Sequence, residues 1–183
     1  MIVSFMILVI NVCSESLHYH EFVLPVLNIL GRMGEDYFVC DYDKVSSDYL
    51  EKVDKVIICG TSLHDNEYLE KISLFSWIKS FEKPILGICA GSQVLQIVFG
   101  GELKKIKEIG QVDVHFDEEF LGMSGIKKVY SLHQNVVLSD DFFVYGKSDL
   151  CPHTMKHKER DVYACLFHPE VYNHEVVEEF CRL

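Results

Sequence analysis

The stretch "KPILGICAGSQVLQIVFGG", residues 83–101, joins a short apolar run to a helical pattern and places one cysteine at the junction. Ile85–Ile88 is short, continuous and rich in branched side chains, as a strand buried on both faces should be. The residues after Cys89 keep helical spacing until Gly100 and Gly101 end it. A strand that runs straight into a helix needs a sharp turn. Gly87 and Gly91, two residues to either side of the cysteine, carry no side chain to hold strand and helix apart, so the segment is the thiol counterpart of the G-x-S-x-G elbow. A residue on such a turn projects at the carboxyl edge of an open α/β sheet, where these sheets carry their sites. Cys89 is then either a small apolar residue in a core or a nucleophile. In the second case the helix amino terminus stabilises its thiolate, and the free amide of Ala90 points to where an oxyanion develops.

Working outward, the first hundred residues alternate between two periods. Met6–Val12, Tyr37–Cys40 and Val56–Cys59 are further strands of the same buried kind. The opening "MIVSFMILVINVC" lacks a basic start and a small-residue cleavage site, and it is too short to cross a bilayer, so it reads as a buried first strand rather than a signal peptide. Between the strands lie helical patterns. Phe22, Val23, Val26, Leu27, Leu30 and Met33 recur at helical spacing and stop at Gly34, a C-terminal cap, with Pro25 in the first turn or at a kink. A second helix starts near Asp65–Asn66 and turns Leu69, Ile72, Phe75 and Ile78 inward. This alternation predicts a doubly wound, mostly parallel open sheet with helices on both faces. After about residue 102 the pattern changes to short strands with turns between them, "VDVHF", "IKKVYSL", "FFVYG" and "DVYACLFH", and a small antiparallel portion is expected in the C-terminal half, before a last helix from about His174. With no repeat or linker, residues 1–183 are expected to form one domain.

A cysteine nucleophile needs a base, and the base needs a group to orient it. "CLFHPEV", residues 165–171, supplies both. His168 follows an apolar strand and so lies at a strand end like Cys89. Pro169 keeps the chain extended there, which is expected to put the side chains of His168 and Glu170 on the same side. Glu170 then accepts a proton from one imidazole nitrogen and leaves the other to the thiol.

The remaining composition narrows the field. Seventeen basic against 28 acidic residues give a net charge of −11, and with no basic stripe a nucleic-acid partner is not expected. The seven cysteines are scattered without a C-x-x-C, the habit of a reduced, cytoplasmic protein. No Gly-rich phosphate loop is present, and no cofactor is expected. Cys151, His153 and His157 form C-x-H-x3-H, and His18 and His20 form H-x-H. Neither set completes a standard metal pattern, so these are read as solvated loop histidines and no metal is expected. The charge clusters "KKIKE" and "MKHKER" are read as exposed faces, with a subunit interface as the alternative for the second, and Trp77 as core.

Taken together, "GICAGSQ" and the later "FHPEV" resemble the class I, or triad, glutamine amidotransferase family, and the likeness runs over nearly the whole chain. "CPHTMKHKER", residues 151–160, is similar to the segment that precedes the H-P-E strand in the separate glutaminase subunits of archaeal GMP synthases. The resemblance implies a mechanism in which Cys89 attacks the side-chain amide of L-glutamine. His168 serves as base and then acid, Glu170 orients it, and water hydrolyses a γ-glutamyl thioester. It implies oxyanion donors at the amides of Ala90 and the Gly60–Thr61 loop, and substrate contacts from Gln93 and the backbone of Leu132–His133. It also implies delivery of ammonia to a separate ATP-dependent synthetase. No synthetase segment is expected behind the glutaminase, because the chain ends soon after Glu170.

Several positions depart from the family. Its "SGGP" loop reads "CGTS" here, residues 59–62, which puts Thr61 at a glycine position where a positive φ would suit it poorly. "GHQ" reads "GSQ" with Ser92, S-H-x-D reads "LHQN" with Asn135 for the aspartate, and "NVCSESLHYH" lacks the usual "DN-G-G-Q" look. These changes leave two other readings open, a γ-glutamyl or peptide hydrolase on the same scaffold and a weakened, regulatory glutaminase-like subunit.

Overall fold

The computed structural model describes residues 6–183. The expected first strand therefore begins, as described, at Met6, and its residues 1–5 lie outside the described residues. Strand β1 (Met6–Asn11) leads through a one-turn helix α1 (Ser16–His18) and a wide π-type turn into α2 (Leu24–Met33), with Pro25 in its first turn. Proline is tolerated there because its missing N–H is unpaired in any helix. Gly34 closes α2 in the left-handed conformation at φ 78°, which a side chain would disfavour. Strand β2 (Asp36–Asp41), helix α3 (Ser47–Lys52) and strand β3 (Lys55–Ile58) follow.

The second predicted helix is broken. A four-residue α4 (Glu67–Glu70) gives way to a 3-10 segment at Ile72–Lys79. Phe75 and Ile78 are buried as expected, whereas Leu69 and Ile72 only border the core and Tyr68 takes an inner place instead. The tighter 3-10 winding rotates the side chains away from the α-helical register. Trp77 likewise packs on the core's edge without being fully buried. Strand β4 (Ile85–Ile88) and helix α5 (Ala90–Val98) form the predicted elbow, and a C-terminal helix α6 (Glu175–Arg182) ends the chain.

Between α5 and α6 lie β5 (Glu102–Lys104), β6 (Glu108–Phe120), β7 (Met123–His133), β8 (Val136–Leu138), β9 (Phe142–Lys147), β10 (Pro152–His157) and β11 (Val162–Cys165). The nine-stranded sheet runs β2-β1-β3-β4-β11-β10-β9-β6-β7, parallel through β11 and antiparallel beyond, with β5 and β8 paired separately. The two faces carry separate cores. Ile7 and Val9 of β1 pack with α2 and α6, while Leu8 and Ile10 pack with Phe75, Ile78 and α5. This is the period-2 alternation of a strand covered on both sides. Because β4 and β11 are parallel neighbours, with Ile88 opposite Cys165, the segments after them emerge side by side at the sheet's carboxyl edge. None of the helices among the described residues is long and apolar enough to cross a membrane.

Candidate active site

Cys89 sits directly after β4 and caps α5 with φ 47° and ψ −101°, a conformation costly for a residue with a side chain. Close packing imposes it. A Cβ on Gly87 would meet the Gly91 backbone carbon at 2.5 Å, and one on Gly91 would meet Ile58. The two glycines thus let the helix lie against the strand, as the sequence pattern requires. The Cys89 amide donates to Cys165 O at 2.7 Å, and its thiol to Leu132 O at 3.6 Å.

His168 and Glu170 meet at 2.7 Å, Nδ1 to Oε1, both buried. The means differs from the expected one. The chain is not extended through Pro169 but folds as a β-turn, with Val171 N donating to His168 O at 3.2 Å. Proline suits the second position of such a turn because its φ is preset, and the turn rather than strand alternation brings the carboxylate back to the ring. His168 N is held by Tyr130 O at 2.9 Å, and its ring packs against Phe22 at 5.2 Å between centroids. Burial alone would lower the His168 pKa. The Glu170 carboxylate and the Cys89 sulfur outweigh it and hold the pKa well above the usual histidine value. The ring's Nε2 is buried without another hydrogen-bond partner, and Cys89 lies close enough to act on its protonation.

Gly60 and Thr61 follow β3 beside this pair. A Cβ on Gly60 would stand 2.8 Å from His168 Cε1 and 3.3 Å from Cys89 Cβ, so only glycine fits. Thr61 does not adopt positive φ. Its hydroxyl instead donates to Asp65 Oδ2 at 2.7 Å, and the same oxygen accepts from Ser14 N and lies 3.3 Å from His18 Nδ1. The threonine at the family's glycine position thus ties the loop to the N-terminal segment. His20 is exposed, and the H-x-H pair forms no joint site.

Gln93 is buried, with Nε2 donating to Asn135 O at 3.0 Å and Oε1 accepting from Tyr68 OH at 2.8 Å. Leu132 and His133 line a pocket with Cys89, Ala90 and Gln93, but it holds only about 10 Å³ of free volume, on the scale of one water molecule. Gln134 Nε2 donates to Leu63 O across it at 2.6 Å. A wider groove of about 560 Å³ over the ends of β1 and β2 includes Cys13, Asp41 and Lys71. Its cysteine, Cys13, donates to Gly60 O at 3.6 Å and burial pushes its thiol up to about 11, so the closed pocket beside Cys89 is the chemical candidate.

The expectation of solvated histidines at 151–157 is corrected. Cys151, His153 and His157 are buried because β10 lies inside the sheet, between β11 and β9. Bulges around Thr154 break the alternation that would put 153 and 157 on one face. His157 packs at a tilt against Phe99, at 4.4 Å between centroids, while Cys151 and His153 join two residues whose sequence positions gave no link to them. Glu108, read as part of an exposed charged face, is buried at the start of β6, opposite His133. His153 Nε2 lies 2.7 Å, His133 Nε2 3.3 Å and Cys151 Sγ 3.3 Å from Glu108 Oε2. Burial would raise the Glu108 pKa, but hydrogen bonds and charge from His153, with hydrogen bonds from Ser148 and Cys151, bring it down to about 2. The available signal was the period-2 pattern of β6, which puts Glu108 on the inward face with Val114.

Elbow, turn and sheet order together define a triad-type amidotransferase scaffold, and residues 18–181 match the family Glutamine amidotransferase class-I; the chain belongs to this family. Among its relatives is a glutamine-hydrolyzing GMP synthase subunit of Methanobrevibacter smithii, 38% identical over 53% of this chain and 55% of that protein. The chain therefore aligns with little more than half the length of this relative. The corresponding subunit of Thermoplasma acidophilum is 30% identical over 83% of this chain and 82% of its own length. A crystal structure of a T. acidophilum protein provisionally assigned as a GMP synthase subunit superposes with a TM-score of 0.87 at 26% identity, covering 100% of this chain and 94% of that one.

Proposed function

We propose that residues 1–183 form a single glutaminase domain that hydrolyses L-glutamine and supplies ammonia to a separate ATP-dependent synthetase, of which a GMP synthase-like partner is the leading candidate. The observation that carries the reading is the buried His168–Glu170 contact at 2.7 Å beside a cysteine on a strained strand–helix turn. With Nδ1–H donated to Glu170, Nε2 carries the proton that Cys89 gives up, and the resulting thiolate attacks the glutamine amide carbon. The amides of Ala90 and the Gly60–Thr61 loop stabilise the oxyanion. The imidazolium then returns its proton to the departing ammonia. Water, activated by the same nitrogen, cleaves the γ-glutamyl thioester to glutamate and restores the thiol. Gln93 and the Leu132–His133 backbone contact the substrate.

The closed pocket favours a gated form of this activity, in which docking of the synthetase opens the Gln134 side. The test is glutamate release from glutamine by the purified chain, alone and with candidate synthetases. Activity that appears or rises with the partner and vanishes in Cys89→Ala supports the reading. A Glu170→Gln chain should lose about 100-fold or more in kcat. No glutamate under any of these conditions, or cleavage of γ-glutamyl peptides with glutamine left intact, overturns the proposal.

A further inference from the structure

We propose that Glu108, His133, Cys151 and His153 form a structural zinc site beneath the glutamine pocket. Their ligand atoms lie within 4.8 Å of one another, and all four residues are buried. The donor set, one thiolate, two imidazoles and one carboxylate, is one that zinc takes in tetrahedral form. At ordinary zinc–ligand bond lengths, tetrahedral partners stand about 3.3 Å apart, or about 3.5 Å where sulfur is one of them. The structure has His133 Nε2 and Cys151 Sγ each 3.3 Å from Glu108 Oε2, and Cys151 Sγ 3.8 Å from His153 Nε2. Of these four separations only His153–Glu108, 2.7 Å, has to widen, and the remaining pairs, within 4.8 Å of one another, have to close toward the bonded spacing.

The surrounding contacts aim these atoms inward. His133 Nδ1 lies 3.1 Å from Ile106 O, which accepts its proton and leaves the Nε2 lone pair directed at the cluster. This is the outer support usual for a metal-bound histidine. Without a cation, that lone pair faces the Glu108 carboxylate oxygen at 3.3 Å. Ser148 Oγ donates to Glu108 Oε1 at 2.9 Å, leaving Oε2 as the ligand. Charge closes as well. Zinc with a Cys151 thiolate, a Glu108 carboxylate and two neutral imidazoles is neutral, the form a buried site favours. The thiol proton leaves to solvent on binding.

All four ligands come from the protein and none of the coordination positions is left for a substrate, so the role is structural. The cation would join the start of β6, the end of β7 and the start of β10. It would thereby pin the Leu132 carbonyl, which accepts the Cys89 thiol. The inference does not depend on glutaminase activity.

The experiment uses the Cys89→Ala chain, to remove the other candidate thiol, produced with zinc supplied and measured for metal content after gel filtration. The expected result is about one zinc per chain and, after exchange to cobalt, a thiolate-to-cobalt charge-transfer band. Both should be lost in Cys151→Ser and in His153→Asn chains that circular dichroism shows to be folded. If those chains fail to fold, alkylation of Cys151 in the Cys89→Ala chain decides. At one fixed, mild denaturant concentration it should be at least tenfold slower with zinc than with chelator. No stoichiometric metal, a cobalt spectrum unchanged by Cys151→Ser, or equal alkylation rates would overturn the proposal.

Discussion

Gln134 Nε2 donates to the Leu63 carbonyl at 2.6 Å and so ties together two walls of the pocket that Cys89 and Gln93 line. A pocket of about 10 Å³ has to open if it is to take glutamine as proposed, and this contact is the one expected to break. A neutral hydrogen bond contributes about 0.5–1.5 kcal/mol net, and 1.4 kcal/mol is a factor of about ten. Gln134→Ala should therefore lower the glutamine KM by about 2- to 10-fold in the isolated chain, with kcat little changed. A KM equal to or above that of the parent in a glutamate-release assay would show that the contact is not the barrier.

His168 gives a prediction about pH and stability. Its folded pKa is held well above the ordinary value because Glu170 and Cys89 outweigh burial. A raised value favours the protonated form in the folded state. The resulting stabilisation is complete below the unfolded pKa of about 6.5 and is lost as pH rises through the folded value. The stability difference between the parent and His168→Gln, followed by urea denaturation from pH 6 to pH 9, should be largest at pH 6 and shrink steadily. A difference that is flat or grows with pH would mean that the Glu170 contact does not hold the proton.

The neighbouring glycine tests packing rather than charge. An alanine methyl at position 60 would press on His168 Cε1 at 2.8 Å and Cys89 Cβ at 3.3 Å, and the ring cannot retreat without stretching its bond to Glu170. Gly60→Ala should lose about 10- to 100-fold in kcat, the scale of a misplacement of about an ångström. Its stability should fall by about 1–3 kcal/mol, as in other overpacked sites. Unchanged kcat with glutamine would count against a reacting position for His168.

The parallel half of the sheet was legible in the sequence because each strand is a short apolar run closed by a helix whose caps, such as Gly34, are local. The Cys89 elbow was legible for the same reason: Gly87, Cys89 and Gly91 act within one turn. The His168–Glu170 contact was foreseen in outcome but not in means, since Pro169 suits both an extended chain and a β-turn and only tertiary contacts select between them. Glu108 was misread because a charge flanked by Lys107 and Lys105 looks solvated, and its partners Cys151 and His153 come from a strand more than 40 residues away. The bulges at Thr154, which separate His153 from His157, leave no local mark in "CPHTMKHKER".

The strained backbone at Cys89 yields a last prediction. At φ 47° and ψ −101°, any residue with a Cβ carries a penalty of about 1–3 kcal/mol, whereas glycine adopts such conformations freely. Cys89→Ala removes the sulfur and keeps the strain; Cys89→Gly removes both. Glycine also gives the unfolded chain more freedom, which costs about 0.4–1 kcal/mol, so the net expectation is a Cys89→Gly chain more stable than Cys89→Ala by about 1 kcal/mol. Chemical denaturation of the two variants side by side measures it. Equal stability, or a more stable alanine chain, would mean that the turn is relaxed and that packing at Gly87 and Gly91 holds the cysteine up at no cost. A more stable glycine chain would mean that the fold gives up stability to keep a thiol at the head of α5, which a buried structural cysteine has no reason to require.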